Sequence, residues 1–120
     1  MESPSSLLIV EDERILSGCL ARHFSGRGLD VAVAGSLAEA REWLGRRCFD
    51  AFLLDVGLPD GDGLSLLDEV SVDRSVVITA NPDPERLADL GVRFLVPKPI
   101  DLDHVARVVS DLDVAVGEGL

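Results

Sequence analysis

The sequence predicts an α/β domain: a doubly wound, five-stranded parallel sheet with helices on both faces. Three observations carry that expectation. Five short apolar runs occupy residues 7–10, 31–34, 51–54, 75–78 and 93–96, and a segment of helical spacing fills each interval between them. The strand starts at Leu7, Val31, Ala51, Ser75 and Arg93 lie 24, 20, 24 and 18 residues apart. Most of the runs are continuous rather than alternating, which suits strands covered on both faces. Regular alternation of strand and helix then favours right-handed crossovers around one sheet.

Each helix has a local signal. Ile15, Cys19, Leu20, His23 and Phe24 recur at three- and four-residue steps, and Gly26 and Gly28 follow as stop signals. Ser36 and Glu39 form a capping box ahead of Leu37, Ala40, Trp43 and Leu44, with Gly45 after them, and Trp43 belongs to the packing face. Residues 64–70 follow a turn-rich stretch at 58–63. Asp83 and Pro84 read as an N-cap and a first helical residue, opening a brief helix that Gly91 ends. Asp101 caps a last helix bearing Leu102, Val105, Val108, Val109, Leu112 and Val116.

Composition bounds the function. A chain of 120 residues with 47% hydrophobic content is the size of one domain, here 1–120, and can bury a core without disulfides or a structural metal; residues 117–120 read as a tail or the start of a linker. Asp and Glu number 22 against 11 Lys and Arg, and a net charge of −11 repels a nucleic-acid backbone. Cys19 and Cys48 lack the spacing and neighbours of a zinc site and read as buried thiols in a reducing compartment. Residues 1–6 lack a signal peptide's basic start and apolar stretch, and no run approaches the roughly 20 residues that span a bilayer. The expected location is the cytoplasm.

Ligands of open α/β sheets bind beyond the carboxyl ends of the strands, where strand order reverses. For the order 2-1-3-4-5 that crevice lies between the first and third strands. Glu11 and Asp12 directly follow the first strand and Asp55 follows the third, so three carboxylates converge. Like charges this close oppose one another's ionisation, and something cationic must compensate. Lys98, after the fifth strand, is one candidate. A divalent cation is the other, with Mg2+ suited best because it binds through one or two carboxylates, retains waters and completes its shell with phosphate oxygens. Thr79, after the fourth strand, adds a neutral hydroxyl donor. An acidic nucleophile, a metal, an ammonium and a hydroxyl are the parts of a phosphoryl-transfer site, with Asp55 as nucleophile.

Four stretches, LLIVEDE at 7–13, LLDVGLPDGDG at 53–63, VVITA at 76–80 and PKPI at 97–100, resemble in order and spacing the response regulator receiver domain of two-component signalling. The resemblance covers essentially the whole chain and implies a flavodoxin-like fold. It makes Asp55 the phosphoacceptor, Asp12 a direct metal ligand, Glu11 a ligand through water, and Gly57 a ligand through its backbone carbonyl. Thr79 and Lys98 would meet the phosphoryl group, and Lys98–Pro99 is a candidate cis bond. The implied cofactor is Mg2+, for which Mn2+ can substitute. The implied partners are a sensor histidine kinase or phosphotransfer protein as donor and an output domain or effector as reader, with oligomeric state left open. Such a protein is a switch rather than an enzyme, catalysing only its own phosphorylation and dephosphorylation.

Two departures stand out. The family's switch aromatic, three residues before the lysine, is replaced by Leu95, with Phe94 one position earlier. The stretch from Thr79 to Lys98 is shorter than usual by about three residues, roughly one turn of 3.6, so its helix should be stunted. Two competing readings follow from these and other features. A pseudo-receiver, acting as a phosphorylation-independent interaction module, is favoured by Leu95. A phosphatase of the haloacid dehalogenase type would need a second acid where Gly57 stands. Glu13 reads as a solvated first-turn residue, residues 60–63 as a turn rather than a calcium loop, and His23 and His104 as ordinary helix residues.

Overall fold

The computed structural model describes residues 3–112. Its central sheet has five parallel strands: β1 Ser6–Val10, β2 Asp30–Ala34, β3 Ala51–Asp55, β4 Ser75–Thr79 and β5 Phe94–Pro97. They run in the order β2-β1-β3-β4-β5, the predicted 2-1-3-4-5. All five residues of β3 and of β4 are buried, as continuous apolar runs require of strands covered on both faces.

Alternate side chains feed two cores. Leu7, Ile9, Leu53, Val76 and Ile78 point to one face, where α1 (Arg14–Gly26) and α4 (Leu102–Ser110) contribute Leu20, Phe24, Val105 and Val109. Leu8, Val10 and Leu54 point to the other, under Leu37 and Ala40 of α2 (Leu37–Arg46) and under Phe49, Phe52 and Leu66. Val77 meets Leu64 and Leu87, the latter from α3 (Pro84–Asp89).

Helix ends follow the sequence signals closely. Ser36 accepts from the Glu39 N–H at 3.1 Å, and Asp101 and Asp83 cap α4 and α3. Gly28 and Gly91 take positive φ of 92° and 75° just beyond α1 and α3, where a side chain would be strained. The helix before β5 is indeed short, at six residues. Val116 and residues 117–120 lie outside the described residues, so neither the last helix's far end nor the expected linker is seen.

Four details differ from expectation. Residues 64–70 do not form an α-helix; Gly63–Asp68 is a 3-10 helix whose first residue packs directly against the end of β3. Ile15 is 85% exposed because the first turn of α1 projects beyond the strand ends, and Ser17, Leu20 and Phe24 form the buried stripe instead. Cys48 is exposed and Cys19 only half-buried: Cys48 lies in the extended link into β3, and Cys19 on the flank of α1. The turn at 57–62 does more than reverse the chain. Asp60 accepts the Leu37 and Ala38 N–H groups at 2.8 and 3.1 Å, which hold its carboxyl below the usual range and cap α2 from outside. Asp62 pairs with Arg86 of α3.

Gly63 is where this turn presses hardest on β3. Its N–H donates to Val56 O at 2.8 Å, and an added Cβ would lie 1.8 Å from the Asp55 carbonyl oxygen. Gly63→Ala should therefore destabilise the fold by about 3 kcal/mol, the upper range for overpacking. Gly57→Ala, with no atom within 4 Å of its Cβ, should stay within about 0.5 kcal/mol of wild type. Urea unfolding reads both, and equal midpoints for the two variants would refute the contact.

Candidate functional site

Register assembles the site. Val10 pairs with Ala34 on one side and Leu54 on the other, so the residues that follow β1 emerge beside Asp55. The Glu11 N–H continues the ladder to Ala34 O at 2.9 Å. One carboxylate oxygen each from Glu11, Asp12 and Asp55 lie within 4.8 Å of one another. Glu11 and Asp55 are buried, and Asp12 is exposed at the mouth.

The lysine arrives from the opposite side of β3. The Lys98 N–H bonds Thr79 O at 2.9 Å, extending the pairing of β4 with β5 by one residue, and the Lys98–Pro99 peptide is cis. Lys98 Nζ then reaches Glu11 Oε2 and Glu13 Oε2 at 3.0 Å each and Asp55 Oδ2 at 3.4 Å. Burial alone would lower the ammonium's pKa; contact with Glu11 and Glu13 and the field of Asp55 outweigh it and raise the pKa above the ordinary lysine value. Thr79 sits buried at the neighbouring strand tip, its Oγ1 accepting from the Asn81 N–H at 3.2 Å. Gly57 lies two residues past Asp55, exposed and paired with Asp62 in a minimal hairpin.

Thus Glu11, Asp12, Asp55 and Lys98 come together in one hollow, with Thr79 and Gly57 on the elements that frame it. Glu13 also belongs there. Its side chain is largely exposed, as the sequence suggested, but its carboxylate also turns to Lys98 and makes no cap for α1; a lone Glu at a helix start carries no signal of such a partner. The histidines play no part: His104 is exposed, and His23 is half-buried edge-on to Phe24 at 5.7 Å.

The donor set fits a hard divalent cation. Glu11 Oε1 accepts the Glu13 N–H at 3.0 Å, but Oε2 is buried with no hydrogen bond, its approach to Lys98 being close yet badly angled. Lys98 offsets only part of the negative charge of three clustered carboxylates, and a divalent cation among them would offset the rest.

Burial, reinforced by Asp55, raises the Glu11 carboxyl above its ordinary value despite the Glu13 N–H and Lys98. The folded state holds the Glu11 proton more tightly than the unfolded chain, so stability falls as pH rises from the ordinary carboxylate range through the raised value. In chelator, Glu11→Gln should therefore melt above wild type at pH 7, with the gap closing toward pH 4, because Lys98 retains Glu13 and Asp55. A gap that is constant across the two pH values would refute the burial argument.

Comparison with known proteins agrees with this geometry. Residues 7–110 match the family model for the response regulator receiver domain. The chain is 33% identical over 115 residues to the TorCAD operon transcriptional regulatory protein TorR of Escherichia coli, covering 91% of this chain and 50% of that protein. It thus spans about half the length of that curated relative. A CheY-like receiver domain protein from Methanospirillum hungatei superposes with a TM-score of 0.81 at 22% identity, covering 98% of this chain and 100% of that one. The non-phosphorylated HemR receiver domain of Leptospira biflexa gives 0.74 at 29% identity, covering 88% and 94%. Acidic residues at two strand tips, a lysine beyond a third and a family match across nearly the whole chain lead to one conclusion: the chain belongs to the response regulator receiver domain family.

Proposed function

We propose that this chain is a phosphoryl-accepting switch, in which Asp55 takes a phosphoryl group from the phosphohistidine of a sensor histidine kinase or phosphotransfer protein. The observation that carries the reading is Lys98 Nζ lying 3.4 Å from Asp55 Oδ2 within a cluster of three carboxylates. An Asp55 oxygen attacks phosphorus and the P–N bond breaks. The electron pair leaves on the imidazole nitrogen, which takes a proton from water. Lys98 and the Thr79 hydroxyl donate to the equatorial oxygens. Glu11, Asp12, Asp55 and the Gly57 carbonyl would hold Mg2+, or Mn2+ in its place, which neutralises phosphoryl charge when bound.

The donor's docking place is supported by an apolar groove of about 610 Å³ beside Lys98, walled by Ile15, Leu16, Ala80, Pro99 and Ile100. Ile15 is 85% exposed in it, an apolar surface that a donor protein would cover while bringing its phosphohistidine to Asp55. The added charge of roughly −1.5 to −2 then draws Thr79 and Lys98 inward, and an output domain or effector reads the change. Cytoplasmic residence, with no nucleic-acid or membrane contact by this chain, belongs to the same reading. The net charge of −11 supports the absence of nucleic-acid contact, and no described helix is long and apolar enough to cross a membrane.

One feature favours a second reading. Leu95, 38% exposed on edge strand β5, stands where the family carries its rotating aromatic, as in a module that binds partners without phosphorylation. Partner affinity unchanged by beryllofluoride would select that reading.

Wild type should form a beryllofluoride adduct with magnesium and Asp55→Asn none; equal modification of the two proteins would end the assignment. Lys98→Ala should slow phosphotransfer about 100-fold, the loss typical of one preorganised donor. Gly57→Asn has room for its side chain beside the path of an attacking water, so it should change the dephosphorylation rate while stability stays within about 0.5 kcal/mol. An unchanged rate would refute that role.

A further inference from the structure

Glu13 has no part in the chemistry proposed for Asp55, yet it makes the shorter of Lys98's two side-chain hydrogen bonds. Lys98 Nζ donates to Glu13 Oε2 at 3.0 Å and to Asp55 Oδ2 at 3.4 Å, while its 3.0 Å approach to Glu11 Oε2 is off-angle. Glu13 occupies the N-cap position of α1 but its side chain caps nothing. Its backbone is fixed by the N–H bond to Glu11 Oε1 at 3.0 Å, which leaves the side chain as the movable part.

An ammonium has three protons, and here three carboxylates already surround it. A phosphoryl group on Asp55 brings two or three new acceptors and more negative charge to the same nitrogen. The phosphoryl oxygens then compete with the carboxylates for this ammonium. Glu11 is fully buried and has no water to turn to, and Asp55 carries the phosphoryl group itself. The Glu13 side chain is 63% exposed and is readily rehydrated. Resting on the reading of Asp55 as acceptor, we propose that Glu13 is a positioning residue that holds Lys98 at the mouth of the site and competes with the phosphoryl group for it. Phosphorylation exchanges the partner of Lys98, and Glu13 swings free. Because Glu13 also borders the groove beside Ile15 and Leu16, the exchange alters the donor's docking rim at the moment its phosphoryl group has left, which favours its departure.

Two substitutions separate competition for Lys98 from a general effect of charge. Glu13→Asp keeps the charge but shortens the reach, and Glu13→Gln keeps the reach but removes the charge. Beryllofluoride is titrated into each protein in saturating magnesium and followed by fluorine NMR, with magnesium affinity measured separately without beryllofluoride. Both variants should bind beryllofluoride about two- to fivefold more tightly than wild type, the scale of a partly exposed ion pair, and Glu13→Asp should leave magnesium affinity unchanged. Tighter binding in Glu13→Gln alone would mean only a field effect and overturn the proposal, as would unchanged or weakened binding in both. A wild-type chain that forms no adduct would overturn the phosphoacceptor reading and this one with it, whereas an adduct of equal affinity in all three proteins overturns this one alone.

Discussion

The constraint on which the molecule turns is charge balance at the strand tips. Two buried carboxylates, Glu11 and Asp55, cluster with the exposed Asp12, and a single ammonium, Lys98, reaches both buried ones. Uncompensated, such a cluster would cost several kcal/mol per ion. The surrounding architecture serves to keep the compensation in place. Parallel pairing of β1 with β3 brings the acids together, and the ladder between β4 and β5 runs one residue past the strands to deliver Lys98. The compensation stays incomplete: one ammonium serves the cluster, and one Glu11 oxygen meets it at 3.0 Å without a well-angled hydrogen bond. A resting site with more carboxylates than ammonium is poised for a cation.

Much of this was legible in the chain itself. The central strands, buried on both faces, leave unbroken apolar runs, the partly exposed edge strands still show short ones, and a charged residue that ends such a run emerges at the carboxyl end of its strand. Glu11, Asp55 and Lys98 were therefore visible as a group. Helix starts were readable wherever the capping residue is local, as at Ser36, Asp83 and Asp101.

What escaped notice depends on contacts across the fold. Asp60 caps α2 from 23 residues away, a pairing that no local motif encodes. Glu13 finds Lys98 across 85 residues. Ile15 has the right spacing for a buried face, but its turn of helix projects past the sheet, and periodicity carries no information about where the sheet stops. The two cysteines depart from expectation for a related reason: residue type gives an average burial, and neither the link before β3 nor the flank of α1 follows the average.

The shortness of α3 has a consequence for how a signal leaves the site. A helix of six residues lies well below the length at which helices hold themselves together in water, and Leu87 is its only buried anchor. It is folded by what it leans on: the sheet beneath and the Arg86 pairing with Asp62. Segments with so few apolar contacts occupy the low end of the local-unfolding spectrum, where opening requires far less free energy than global denaturation. If the proposed switch delivers its output through this face, it can work by fraying and re-forming a short segment rather than by tilting a rigid rod. A partner that binds either the wound or the unwound form would draw its selectivity from that soft equilibrium.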